Sequence, residues 1–260
     1  MPYTFVHPGF IYPLKRWKPH LFSTTGWVFG SIAPDYAFLL RLTNPRFHLF
    51  QYDWKTILFL IFPMALLSAV YFHVVIRNIL MDAAPPRLQA QLNHYRSFNF
   101  LSHLRKNWFS VSTSILMAIL LHLLLDLTVH FDAYTFQHIA WVFYMNYVVG
   151  IMYYYLAMYI PAITLSIAGA YFLYRWLFDE GFRIRNITEL LTYHSSRKLL
   201  ISFLVIAAIF GSIKILLTGI ESGFAIDTLA IGGTNGILIS FFITPTLFYL
   251  RNYFRNNEQQ

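Results

Sequence analysis

The residues with the clearest capacity for chemistry are His122, Asp126 and His130, in the stretch HLLLDLTVH. They close a run, VSTSILMAILL, that carries no charge. Ionisable groups are costly in such a setting, so each needs a partner or a use. On a helix, a step of four residues turns about 400°, so the three side chains share one stripe that drifts by about 40° per step. His122 and His130 then stand about 12 Å apart along the axis, a long reach for two ligands on one ion bound at about 2 Å. Asp126 lies between them and could bridge two ions about 3.5–4 Å apart. The spacing points to a two-metal site, or to one metal beside a catalytic histidine. A polar stripe satisfied by neighbouring helices is the alternative. The same donor types recur upstream at His7 in FVHPGF, Asp35 in GSIAPDYAF and His48 in PRFHLF. Taken singly, Asp35 reads as a helix-start residue after Pro34, and His48 as an interface histidine.

The elements that must position these residues are apolar. Of the 260 residues, 57% are hydrophobic, 19% aromatic and 12% charged, and mean hydropathy is +0.52. Soluble domains carry about 25% charged residues. Half that value, with several apolar runs near membrane-spanning length, predicts a polytopic all-α membrane bundle. The absence of cysteine excludes disulfides and thiolate metal sites. The net charge of +8 fits basic loops against anionic lipid rather than nucleic acid.

Four apolar runs are distinct, at about 55–77, 110–131, 199–219 and 229–250. A fifth, 143–177, is too long for one straight span, and Pro161 could kink or divide it. A sixth, 27–41, is short. Five or six spans are expected, in one integral domain over 1–260: an N-terminal site-forming segment (1–54), core helices with the His/Asp motif (55–135) and C-terminal helices (136–260). The segment MPYTFVHPGFIYPLKRWKPH reads as an ordered lead-in rather than a signal peptide, because its charges follow its apolar part. Segments 81–109 and 178–198 and the C-terminal tail hold Lys and Arg, whereas 132–142 and 220–228 hold none. The positive-inside rule puts the former in the cytoplasm. His130 then faces the outer, periplasmic side of a bacterial inner membrane. Lys15, Arg16 and Lys18 favour the cytoplasm, while His7 must share a side with His130 if it joins the site. Five spans with 1–54 packed over the outer face satisfies the second demand. IGGTNG, near Gly232, lacks the spacing and lysine of a phosphate loop and reads as a helix-packing element.

Taken in order, these segments resemble the bacterial membrane proteins grouped as domain of unknown function 4184, which are distantly similar to membrane-bound metal-dependent hydrolases and to the zinc-dependent phospholipase C fold. The resemblance rests on MPYTFVHP, GSIAPDYAF, RFHLF, Asp53, Pro63, YFH with His73, APPRL and HLLLDLTVH. It covers about 1–135 well and the remainder loosely. It implies His7, Asp35, His48, His122, Asp126 and His130 as metal ligands, with Asp126 and His130 also catalytic. His73 ranks lower, as a core or interface histidine. Three departures remove groups that orient ligands. Val129 stands where the family has threonine, Phe47 and Leu49 flank His48, and MYIPAIT replaces a polar stretch.

The expected function is a membrane-embedded metal-dependent hydrolase. It would use a divalent ion, zinc first and two ions on the spacing argument, against a lipid-like phosphoester or ester at the bilayer boundary. Arg46 is the candidate phosphate contact. A non-enzymatic membrane component that binds a membrane protein partner is the alternative. A proton or ion carrier ranks third, since polar groups beyond the stripe are scattered. No nucleic-acid partner is expected.

Overall fold

Each long apolar run forms a helix in the computed structural model, which describes residues 4–18, 21–36, 53–129, 147–179, 192–218 and 225–257; the side chains of 126–129 lie outside that description. Among the described residues every element is helical. A 3-10 turn, Thr4–Phe10, leads into α1 (Ile11–Trp17). The next helix, α2 (Thr24–Ile32), tightens into a 3-10 turn at Ala33–Tyr36. It is followed by α3 (Trp54–Ala83), α4 (Pro86–Leu92), α5 (Phe100–Lys106) and α6 (Trp108–Val129). The C-terminal part holds α7 (Tyr147–Asp179), α8 (His194–Thr218) and α9 (Ala225–Asn257).

Three stretches, Trp54–Ala83, Trp108–Leu125 and His194–Ile213, are long and apolar enough to cross a membrane. Phe59, Leu67 and Leu204 on them are 76%, 67% and 56% exposed. Apolar surface on this scale suits lipid, not water. The fifth run is one continuous helix, α7, of 33 residues. At 1.5 Å per residue it is roughly 50 Å long, well beyond the ~30 Å hydrocarbon core. Within α3, wide π-turns occur at Ile57–Ile61 and Phe72–Ile76. The first lies just ahead of Pro63, whose ring crowds the carbonyl four residues back, and widening the turn relieves that crowding.

The N-terminal segment folds as a hairpin along the bundle. Ser23 caps α2 by accepting from the Gly26 N–H. Gly26 then packs on Val111 and Ser114, Gly30 on Ile115 and Ala118, and Ser31 reaches His122, so α2 and α6 run the same way. A Cβ at Gly26 would lie 2.7 Å from the Val111 carbonyl oxygen, and one at Gly30 2.5 Å from that of Ile115. Only glycine permits that approach. On the other arm Gly9 packs on Gly169 and Leu173, and the Tyr12 hydroxyl donates to Asp179 Oδ2 at 2.9 Å. Residues 4–17 therefore run parallel to α7. The turn between the arms is tied to the start of α6. Ser110 Oγ donates to the Leu21 carbonyl (2.8 Å) and the Ser23 N–H to Ser114 Oγ (2.8 Å).

This hairpin separates two groups that the sequence set in conflict. Lys15, Arg16 and Lys18 sit near its turn, beside the start of α6, whereas His7 and Asp35 sit at its open end, level with His122. Ile11 and Trp27, both buried, pack with Ala118 to hold the two arms on α6. Behind α2, the main core joins Phe29, Ala65 and Ala69 to Ile115 and Ile119.

Candidate metal centre

The site forms where the open end of the hairpin meets α6. His7, Asp35 and His122 each offer one ligand atom, and these atoms all lie within 4.8 Å of one another. His7 comes from the N-terminal 3-10 turn, Asp35 from the turn that ends α2, and His122 from about two turns before the end of α6. Asp35 is 0% and His122 1% exposed.

Backbone geometry fixes the orientation of His122. Its Nδ1 is 2.6 Å from the Ser31 carbonyl oxygen. A carbonyl only accepts, so the proton sits on Nδ1 and the Nε2 lone pair is available as a ligand. The sequence explains why that carbonyl is open to a side chain. The chain tightens to 3-10 after Ile32, and the residue three beyond Ser31 is Pro34, which has no N–H to donate. His122 Nε2 lies 3.6 Å from Asp35 Oδ1. A direct charge-assisted hydrogen bond would measure about 2.7–2.9 Å. Two ligands held at about 2.0–2.2 Å around one tetrahedral zinc stand roughly 3.4 Å apart, close to the observed separation. His7 packs edge-on to His122, with ring centroids 4.4 Å apart and an interplanar angle of 86°. Its Nδ1 is 2.9 Å from His122 Nδ1. This donor set fits a divalent ion, and the Nδ1–H to carbonyl bond is the support that ligating histidines commonly have.

Of the six ligands inferred from sequence, the structure thus brings together His7, Asp35 and His122. Asp126 lies one turn after His122 on α6, with its side chain outside the described residues, as are all of His48, His130 and Arg46. His73 stands apart from the cluster. Its Nε2 contacts Thr25 Oγ1 at 3.1 Å and its ring stacks on Phe100 at 4.5 Å, as a packed histidine does. Sequence reasoning overlooked the Ser31 carbonyl. A backbone group has no side-chain signature, although Pro34 three residues on was its trace.

No curated protein and no solved structure matches the chain. A family model does: residues 1–246 match the domain of unknown function DUF4184, and the chain belongs to that family.

Proposed function

We propose that this protein is a membrane-embedded metal-dependent hydrolase that acts on a lipid-like phosphoester or ester at the bilayer boundary. The observation that carries the reading is the convergence of His7, Asp35 and His122, separated by up to 115 residues, on one buried cluster. Two imidazoles and a carboxylate suit zinc among the divalent ions. A bound zinc supplies a water of lowered pKa and polarises a phosphoryl or acyl oxygen. The chain's own groups do the rest. The Ser31 carbonyl holds the His122 ring with Nε2 toward Asp35. Asp126 and His130, four and eight residues beyond His122 in the sequence, serve as proton carriers for the attacking water and the leaving group, or join His48 in holding a second ion.

A boundary site suits an amphiphilic substrate, and a phosphoester is the substrate class that the resemblance to the zinc-dependent phospholipase C fold implies. The Lys and Arg distribution supports an inner-membrane protein of a bacterium with five crossings and the cluster toward the outer face. One contact lends it support: Ser196 at the start of α8 bonds the Ala83 carbonyl at the end of α3 (2.5 Å), so Arg197 and Lys198 lie near the start of the basic 81–109 segment. The alternative reading, a non-enzymatic component, draws on Val129, Phe47 and Leu49 replacing polar neighbours of the ligands.

Elemental analysis of the detergent-purified protein tests the proposal. We expect zinc at one or two per chain, lost in Asp35→Ala and His122→Ala, and a metal-dependent release of phosphate or acid from short-chain phospholipid that falls in Asp126→Ala. Protein that stays metal-free when zinc is supplied overturns the metal reading. Stoichiometric zinc without hydrolysis favours the non-enzymatic one.

A further inference from the structure

A cavity of about 330 Å³ opens between the C-terminal half of α3 and the chain that leads into α5. We propose that it holds the headgroup of an anionic phospholipid. Its polar wall is cationic. Residues 72–109 contain five Lys or Arg (77, 87, 96, 105, 106) against one acid, Asp82, and Arg77 and Arg96 line the cavity.

Arg77 spends Nη1 on the Phe98 carbonyl (2.6 Å) and Nε on Asn78 Oδ1 (3.4 Å). That fixes the guanidinium in place and leaves further N–H groups of its five. Arg96 pairs with Asp82 at 2.7 Å, but the two side chains are 38% and 58% exposed. Exposed pairs of this kind hold weakly, so a phosphate would draw Arg96 away at small cost. His73 lines the cavity beside them. Its Nε2 meets Thr25, whereas its buried Nδ1 has no hydrogen-bond partner among the described residues. A buried nitrogen in that state is costly, and a ligand hydroxyl or phosphate oxygen would relieve it.

The apolar wall selects lipid over a free anion. Val74 and Leu101 line the same cavity and are 53% and 46% exposed. Val74 belongs to the apolar helix α3, so the cavity opens beside surface that faces acyl chains. Guanidinium groups next to exposed aliphatic side chains at the end of a spanning helix match an amphiphile with a negative head.

Native mass spectrometry of the full chain in mixed micelles tests this, with dioleoylphosphatidylglycerol, dioleoylphosphatidylcholine and inorganic phosphate as separate probes. Phosphatidylglycerol should be retained about tenfold or more over phosphatidylcholine, the scale of one charge-assisted hydrogen bond. Arg96→Gln should reduce that retention, and so should Val74→Trp, which fills the cavity without touching a charge. Arg105→Gln, outside the cavity, should cost about fivefold or less. All three positions are exposed, so folding is retained and is checked by gel filtration. Equal retention of both lipids overturns the proposal. So does full retention in Val74→Trp, which would mark diffuse surface charge, or displacement of the lipid by phosphate at concentrations matching the lipid's own, which would mark a free-anion site.

Discussion

Two seams of this bundle are built by the same device and end differently. Where α2 meets α6, Gly26 and Gly30 bring backbones together; where α8 meets α9, Gly211, Gly232 and Gly236 do so. Both bury polar groups. The second seam buries Asn235, Ser240 and Thr244, and Ser240 donates to the Phe203 carbonyl at 2.6 Å and contacts Thr244 at 3.2 Å. All three are neutral, and Ser240 joins one helix to the other. The first seam instead ends at Pro34, where regular hydrogen bonding stops, and there Asp35 and His122 are buried. Close packing is common to both. Among the described residues, the buried acid and the buried histidine lie where the close-packed helix breaks.

The sharpest way to separate the seams is to overfill each. Leucine at Gly30 would drive its Cβ and beyond into the Ile115 backbone. Overpacking costs about 1–3 kcal/mol and more when backbone is struck. Gly30→Leu should give protein that unfolds earlier and also loses bound zinc, because α2 carries Ser31 and Asp35. Gly236→Leu strikes the Ala207 carbonyl and should cost as much stability while zinc remains. Thermal unfolding beside metal content reads both. Zinc loss in Gly236→Leu would show that the seams are one cooperative unit.

A cleaner cut follows at the ligands. His122→Ala removes a donor and leaves a cavity against Ser31, at about 2–3 kcal/mol for the vacated space and the unmet carbonyl. Zinc should fall to background while α8 and α9 stay folded. Hydrogen exchange would show protection lost near residues 31–36 and kept at 203–211 and 236–244.

How far the sequence foretold this arrangement depends on the length of each piece. Runs of 17 residues or more were legible because apolarity over such lengths has few solutions, and α3, α6, α7, α8 and α9 follow them. IGGTNG was legible as a packing element, and Gly232 and Gly236 do meet α8, although Gly233 meets nothing within 4 Å. The hairpin of α1 and α2 was not legible. Helices of seven and nine residues are too short for periodicity to fix a direction. That is why Lys15, Arg16 and Lys18 seemed to contradict His7: a turn between Lys18 and Thr24 lets both hold. In the site, His122 stood out as a charge-capable residue among leucines. His7 and Asp35 were visible as donors of the same type, but only the family resemblance joined them to it as ligands, since no spacing rule links residues so far apart in the chain.

A smaller effect belongs to the first arm. Tyr12 donates to Asp179 and accepts from Arg16 Nη1 at 3.2 Å. Tyr12→Phe should lower stability by about 1 kcal/mol and weaken zinc binding only slightly, since Gly9 against Gly169 still holds the segment on α7. A large loss of zinc would mean that the Tyr12–Asp179 bond, not the glycine contact, sets the position of His7.

The smallest expected effect tests the second seam's polarity directly. Asn235 is fully buried, and neither atom of its amide has a hydrogen-bond partner among the described residues. A satisfied buried amide loses about 1–3 kcal/mol when its partner is left behind, whereas an amide with nothing to leave behind costs little to replace. Asn235→Leu, close in volume, should therefore change the unfolding temperature little or raise it, with zinc unaffected. A clear drop would show that the amide is bonded to a group beyond the described residues, such as one in 219–224. The α8–α9 seam would then share with the α2–α6 seam a polar contact that crosses from helix to loop, and the contrast between them would narrow to the charge on Asp35.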